Sequence, residues 1–472
     1  MNKGFDLSKL VQNISKSRPE ISAKTSAIYC KVYENFTERN IDKLNECLKK
    51  LYVFAIDNYV DSDEVFEKYK IGTIFLNCLC NDYPNEIKES IIAFLANVFQ
   101  NQNTTMLQCI REIGIIQVIC NMINNENNLI IPILQCLINI SSDSLVMRDE
   151  VICCIDFNVL KEFVLIKNKY VSKLAVHLFE TFCQYPIDKK YYEKLFESIH
   201  ESILHCNEKL IYHLINGLID LVSINPYGNA KFTYSKIIGE QIIKFYEKLL
   251  FLDPNSSKYN VLIINSVLKL FIALNCKETE HSIQVEYGKI TLLLNTTNKL
   301  ILIPLIRFLS NSIIINQSVI DYIRENHLLK RILSIFVDCN GKETIESIYL
   351  LSNIFRFSTL KQYNLLWNEF YEIQKNDQEY LKDIDFVSIF IYSLNIEEEE
   401  LIECILCTLY KMIKFEELNK LNNNVIGLIN KYNGFEVIES LLSSNNPKIS
   451  EIAFLFQKSV ISERKPFEFT LD

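Results

Sequence analysis

The strongest constraint on this chain is a polar position that returns, at nearly constant spacing, near the end of one long apolar helix pattern after another. "EIKESIIAFLANVFQ", "NLIIPILQCLINIS", "VSKLAVHLFETFCQ" and "TIESIYLLSNIF" all place apolar residues at i, i+3, i+4 and i+7. That is the period of a helix buried on one side, and no sustained two-residue alternation suggests a sheet. Each segment closes with an apolar residue, a polar one, and then more apolar or small residues. The polar position falls at Asn97, Asn139, Glu180, Asp220, Lys269, Asn311, Asn353 and Lys411, with gaps of 42, 41, 40, 49, 42, 42 and 58 residues.

A period near 42 built of helices alone is the mark of armadillo or HEAT units, which bury their apolar faces only by stacking. The spacing predicts a long last helix in each unit, with two shorter helices before the next landmark. An insertion around "NEFYEIQKNDQEYLKDIDF" accounts for the widest gap. The expected organisation is a partly ordered arm over residues 1–35, a repeat array over 36–462 and a loose tail over 463–472.

Composition excludes several alternatives. Ten Gly and nine Pro in 472 residues are too few for folds made of tight turns, and neither GxGxxG nor GxxxxGK[ST] occurs. Asn-rich and Ser-rich links are expected to close helices instead, because Asn tolerates the left-handed conformation. A net charge of -9 disfavours a nucleic-acid surface and permits a cationic partner. "MNKGFDLSKLVQNISKSRPE" has no apolar signal core, and "KLILIPLIRFLSNSIIIN" is interrupted by Pro304 and Arg307. The expectation is an intracellular protein with no membrane contact and mostly reduced cysteines.

Local motifs offer little chemistry. Cys404 and Cys407 form a lone "CILC" without the second ligand pair that zinc requires, and "HESILHC" straddles a helix face and its turn. Neither reads as a metal site, no cofactor is implied, and no nucleophile motif such as GxSxG supports catalysis. "NIEEEELIE" reads as a helix start, with Asn395 as cap and Glu397 to Glu400 in the first turn. The N-I-S sequon at Asn139 has no secretory route to make it meaningful.

Within this frame, "LINISSDSLVMRDEVICCIDFNVLKEFV" resembles the third armadillo repeat of importin-α: an Asn, an Asp four residues on, and an Arg-Asp pair opening the next repeat. "FETFCQYPIDKKYYEKL", "IESIYLLSNIFRFSTLKQYNLL" and "VIGLINKYNGFEVIESLLSSNNPKISEIAFLFQKSVI" resemble later repeats in the same order, so the likeness is collinear over about residues 40–460. It implies an all-α, right-handed armadillo-type solenoid of about nine or ten three-helix repeats. It also implies an adaptor that carries cargo proteins with basic segments into the nucleus, moving between cytoplasm and nucleus with an importin-β-like carrier.

The family's groove Asn, which clamps a peptide backbone, corresponds to Asn97, Asn139, Asn311 and Asn353, and its acidic residue to Asp143. Asn has both a donor and an acceptor for an extended main chain, and residues at i and i+4 share a helix face. The family's Trp, one turn earlier, is replaced by Ala93, Gln135, Val176, Asn216, Asn265, Arg307, Tyr349 and Cys407; the single Trp367 lies elsewhere. The basic arm that binds importin-β is absent from "ISKSRPEISAKTSAIYCKVYENFTERN", where Lys and Arg are scattered among Glu. The first half presents Asp143, Glu180 and Asp220, and the second presents Lys269, Arg307 and Lys411. A basic peptide is therefore expected to bind the first half, with Gln135 and Tyr349 as neighbouring contacts. An armadillo-repeat scaffold outside nuclear transport is the alternative reading.

Overall fold

The computed structural model describes residues 23–57, 63–100, 104–124, 127–224, 240–275, 285–338, 341–376, 385–396, 398–419 and 424–461. All regular structure among them is helical, and the chain divides into two compact units, Met1–Gly228 and Asn229–Asp472. No described helix is long and apolar enough to cross a membrane.

Unit 1 begins with α1 (residues 23–37), whose Tyr29 and Val32 are buried. It continues with α2 (Ile41–Asp57), α3 (Asp63–Lys68), α4 (Ile71–Cys80), α5 (Asn85–Gln100), α6 (Thr104–Glu112), α7 (Ile115–Met122) and α8 (Ile130–Asp143). Then come α9 (Leu145–Cys154), α10 (Phe157–Leu165), α11 (Lys169–Cys183), α12 (Lys189–His205) and α13 (Glu208–Ile224). The long helices α2, α5, α8, α11 and α13 pack successively on one another, while α4, α7 and α9 pack in sequence beside them. Each landmark residue therefore lies on a helix of the stacked row. In α8 the apolar residues Ile133, Leu134, Leu137, Ile138 and Ile140 are buried, and the Asn139 between them is half-buried.

Two short helices follow α5 and two follow α8, as the spacing predicts, but α11 and α13 are joined by the single 17-residue α12. Its sequence explains the difference. Tyr192, Leu195, Phe196, Ile199 and Ile203 make one unbroken buried stripe with no Gly or Pro to divide it. The repeat length of 40 is kept, but that unit has two helices instead of three.

Unit 2 contains α14 (Glu240–Leu249), α15 (Lys258–Asn275), α16 (Tyr287–Ile290) with a 3-10 turn after it, α17 (Lys299–Ile315), α18 (Ser318–Glu325), α19 (Leu329–Asp338) and α20 (Lys342–Phe357). These are followed by α21 (Leu360–Asn376), α22 (Phe386–Ser393), α23 (Glu399–Asn419), α24 (Val425–Lys431), α25 (Gly434–Leu441) and α26 (Pro447–Ile461). Its stacked row is α15, α17, α20, α23 and α26.

Asparagine works more at helix starts than at helix ends. Asn168 accepts from the Tyr170 and Val171 amides to cap α11, and Asn298 accepts from Leu300 to cap α17. Among the described residues the left-handed non-glycine positions are Arg39, Lys70 and His327 as well as Asn424 and Asn433. Asn395 does not cap the acidic helix: α23 begins at Glu399, and Asn395 sits in the turn after α22, donating to the Tyr392 carbonyl at 3.2 Å. Glu399 does occupy the first turn, paired with Lys448, whereas Glu397 lies outside the described residues. The tail 463–472 and residues 1–22 also lie outside them.

The repeat period reappears in the side-chain bonds. Asn139 reaches back to Ala96 and Asn353 to Ser310, each across 43 residues. Arg111 pairs with Glu150 and Arg307 with Glu346, each across 39.

Candidate functional site

Unit 1 carries Asn97, Gln135, Asn139, Asp143, Glu180 and Asp220 on four consecutive stacked helices. Asn97 donates its amide to the Ala93 carbonyl of its own helix, 2.8 Å away, and Asn139 donates to Ala96 on α5 at the same distance. The Asn139 bond ties two repeats together, so its amide nitrogen is already engaged. Gln135 is exposed, and its amide donates at 2.8 Å to the hydroxyl of Tyr170, itself half exposed at the start of α11. An aromatic ring thus stands beside the Gln135 position, supplied by the next helix of the row.

The carboxylates are the least satisfied groups of this row. Asp143 is the last residue of α8, where the helix dipole opposes a negative charge, and burial raises its pKa. Asp220 on α13 is raised by loss of solvent and then by Glu180 nearby. Glu180 has two histidine neighbours: Nδ1 of His213 lies 3.0 Å from Oε1, and Nδ1 of His177 lies 3.6 Å from Oε2. Among the described residues no Lys or Arg forms an ion pair with Asp143, Glu180 or Asp220. Partly desolvated carboxylates without a Lys or Arg counter-ion are costly in the free protein and favour a cationic partner.

The corresponding residues of unit 2 are tied into its own packing. Asn353 is buried: its amide donates to the Ser310 carbonyl at 3.2 Å and hydroxyl at 2.8 Å, and its oxygen faces the Cys404 thiol at 3.5 Å. In this arrangement it braces α17, α20 and α23 against one another. Asn311 is half-buried on α17. Tyr349 donates to Glu398 at 3.1 Å, and burial together with that carboxylate holds its proton on. Lys269 is exposed, but Arg307 is clamped to the buried Glu346. Lys411 turns inward to the carbonyls of Arg356 and Ser358, with Nζ 4.9 Å from the Phe415 ring centroid. Burial, and secondarily Arg356, lower Lys411 to about 8. The two latter cations are structural, so the basic character expected on this row is much reduced.

Arg148, of the Arg-Asp pair, is almost fully buried. It donates to Asp149 through Nε at 3.0 Å and Nη2 at 2.6 Å, and to the Pro186 carbonyl at 2.6 Å, while Nη1 has no hydrogen-bond partner. An open groove of about 750 Å³ between α6 and α9 is lined by Arg111, Val146, Asp149 and Glu150, without any landmark residue. Cys404 and Cys407 are buried, as core thiols are, and burial pushes Cys404 up to about 11. His200 is buried on α12, and Cys206 is pushed up to about 12 by burial. Among the described residues no three His, Cys, Asp or Glu side chains group as a metal site. Trp367 is enclosed by Phe355, Tyr363 and Phe386 in the unit 2 core.

Sequence reasoning missed Tyr170, His177 and Glu346. Tyr170 follows the Asn168 cap by two residues, but nothing local says that its hydroxyl meets a side chain 35 positions upstream.

No family model matches the chain, and no curated protein matches it. Solved structures do: the crystal structure of an engineered protein from a structural genomics consortium aligns with a TM-score of 0.63 at 13% identity, over 92% of this chain and 99% of that one. At that identity the likeness establishes the fold alone. This is an all-helical repeat protein.

Proposed function

We propose that the chain is a non-enzymatic adaptor of armadillo type, a right-handed solenoid related distantly to importin-α, that binds extended basic segments of cargo proteins on the stacked row of unit 1. The supporting observation is the set Asp143, Glu180 and Asp220, carried on consecutive packed helices and without Lys or Arg counter-ions among the described residues. Packed helices stand about 8–10 Å apart, and alternate side chains of an extended peptide about 6.6–7 Å. Lysine or arginine stems can bridge that mismatch and deliver their charges to successive carboxylates. Gln135 with Tyr170 offers an amphipathic platform for a stem. In this role the protein moves between cytoplasm and nucleus with an importin-β-like carrier.

A scaffold outside nuclear transport is favoured by one observation, the commitment of the Asn139 and Asn353 amides to internal bonds. Titration with a fluorescent Lys/Arg-rich peptide separates binding from non-binding. Asp143→Asn combined with Asp220→Asn is expected to weaken affinity about tenfold, which corresponds to about 1.4 kcal/mol. Recovery of an importin-β-like carrier with the cargo supports transport; basic cargo without carrier supports the scaffold. Unchanged affinity in the double variant refutes the site.

A further inference from the structure

Two histidines converge on one carboxylate within the proposed site. His177 lies one turn before Glu180 on α11, and His213 comes from α13, so the two imidazoles address opposite oxygens of Glu180 from two adjacent helices. Both rings are partly exposed, at 55% and 39% of the side chain, and Glu180 retains 24%. The ring of Tyr212 meets that of His213 edge-on at 5.1 Å. We propose that His177 and His213 make cation binding at Glu180 proton-gated: neutral imidazoles leave the carboxylate open to a lysine or arginine, and imidazolium forms close it. This rests on the adaptor reading above and names the regulation of that same site.

The charge balance decides the direction. With neutral histidines, Glu180 and Asp220 together carry two negative charges, and with both protonated the cluster is neutral. An incoming cation then competes against two tethered ones already within reach of Glu180. The hydrogen bond to Glu180 also raises the pKa of His177, which widens the range over which it is charged. Neighbouring elements do not offset this. Asp220 of α13 lies near Glu180, and the Cys183 thiol on α11 is kept protonated by burial. The ionisable groups of α8 are Asp143 and the buried Cys136, and α10 carries Glu162 and Lys161, the latter paired with Glu201 of α12. On α12, packed against α13, His200 is buried and its pKa is lowered by that burial, so His177 and His213 are the imidazoles that meet Glu180.

The test is titration of the full chain with a fluorescent Lys/Arg-rich peptide at pH 7.5 and 5.5, at fixed ionic strength. An ordinary imidazole that must be neutral for binding weakens affinity about tenfold at pH 5.5, so the wild-type chain is expected to lose at least that much. His177→Asn combined with His213→Asn is expected to bind equally at both pH values; both side chains are partly exposed, so the variant retains the fold. Nuclear magnetic resonance of the two ring protons supplies an independent reading: Glu180→Gln should lower the midpoint of His177. Equal wild-type affinity at the two pH values, or an undiminished pH dependence in the double variant, overturns the gate while leaving the adaptor intact. Absence of binding at both pH values overturns the adaptor reading and the gate with it.

Discussion

Removing the half-exposed Asp149 should destabilise unit 1 more than replacing the fully buried Arg148. Asp149→Ala takes away the sole ion-pair partner, among the described residues, of a guanidinium that is 1% exposed, together with the bonds to Nε and Nη2, and leaves the Pro186 carbonyl as its acceptor among them. Stranding a buried charge costs about 3–5 kcal/mol; the 52% exposure of Asp149 screens the pair and reduces this to roughly 2–3 kcal/mol. Arg148→Met removes the charge itself and the orphaned Nη1, fills similar volume, and leaves one unsatisfied carbonyl at Pro186, for about 1 kcal/mol. The double variant should then be close to Arg148→Met alone, a coupling of about 2–3 kcal/mol. Stacked repeats open locally, so the measurement is native-state hydrogen exchange of the α9 and α11 amides, supported by urea unfolding. The argument fails if Asp149→Ala lies within 0.5 kcal/mol of wild type, about the limit for a surface change, or if Arg148→Met is the costlier substitution.

Two further outcomes follow from unit 2. Asn353→Ala should destabilise α17 and α20 by about 2–3 kcal/mol in hydrogen exchange, because it strands Ser310 and opens a small void, yet leave basic-peptide affinity within about twofold; loss of affinity without loss of stability would return Asn353 to the binding site. Burial holds Lys411 at about 8 in the folded chain, below its ordinary 10.5, so between those values the unfolded state holds more protons and this group favours folding increasingly as pH rises. The stability of wild type relative to Lys411→Met should therefore grow from pH 8 to 10, and a flat or falling difference would contradict that assignment.

The stacked row was legible in the sequence because helical periodicity and the repeat of the landmark are local, additive signals. Asp143, Glu180 and Asp220 were likewise visible as acidic positions at that register. What misled was the equation of a polar residue in register with a polar residue on the surface. Asn353 and Lys411 satisfy the pattern, but the pattern holds equally for a side chain that bonds the helix before it. The division of one interval into a single long α12 instead of two short helices could have been read from its unbroken apolar stripe.

The order of helices, the period near 42 and the acidic bias of the first half were determined by the sequence itself, since each depends on residue type at short spacing. Which polar groups meet was decided only by tertiary packing. His213 reaches Glu180 from 33 residues away, Tyr170 reaches Gln135 from 35, and Glu346 neutralises Arg307 from 39. Those contacts are set by the rotation and register of neighbouring helices, which short-range periodicity does not specify.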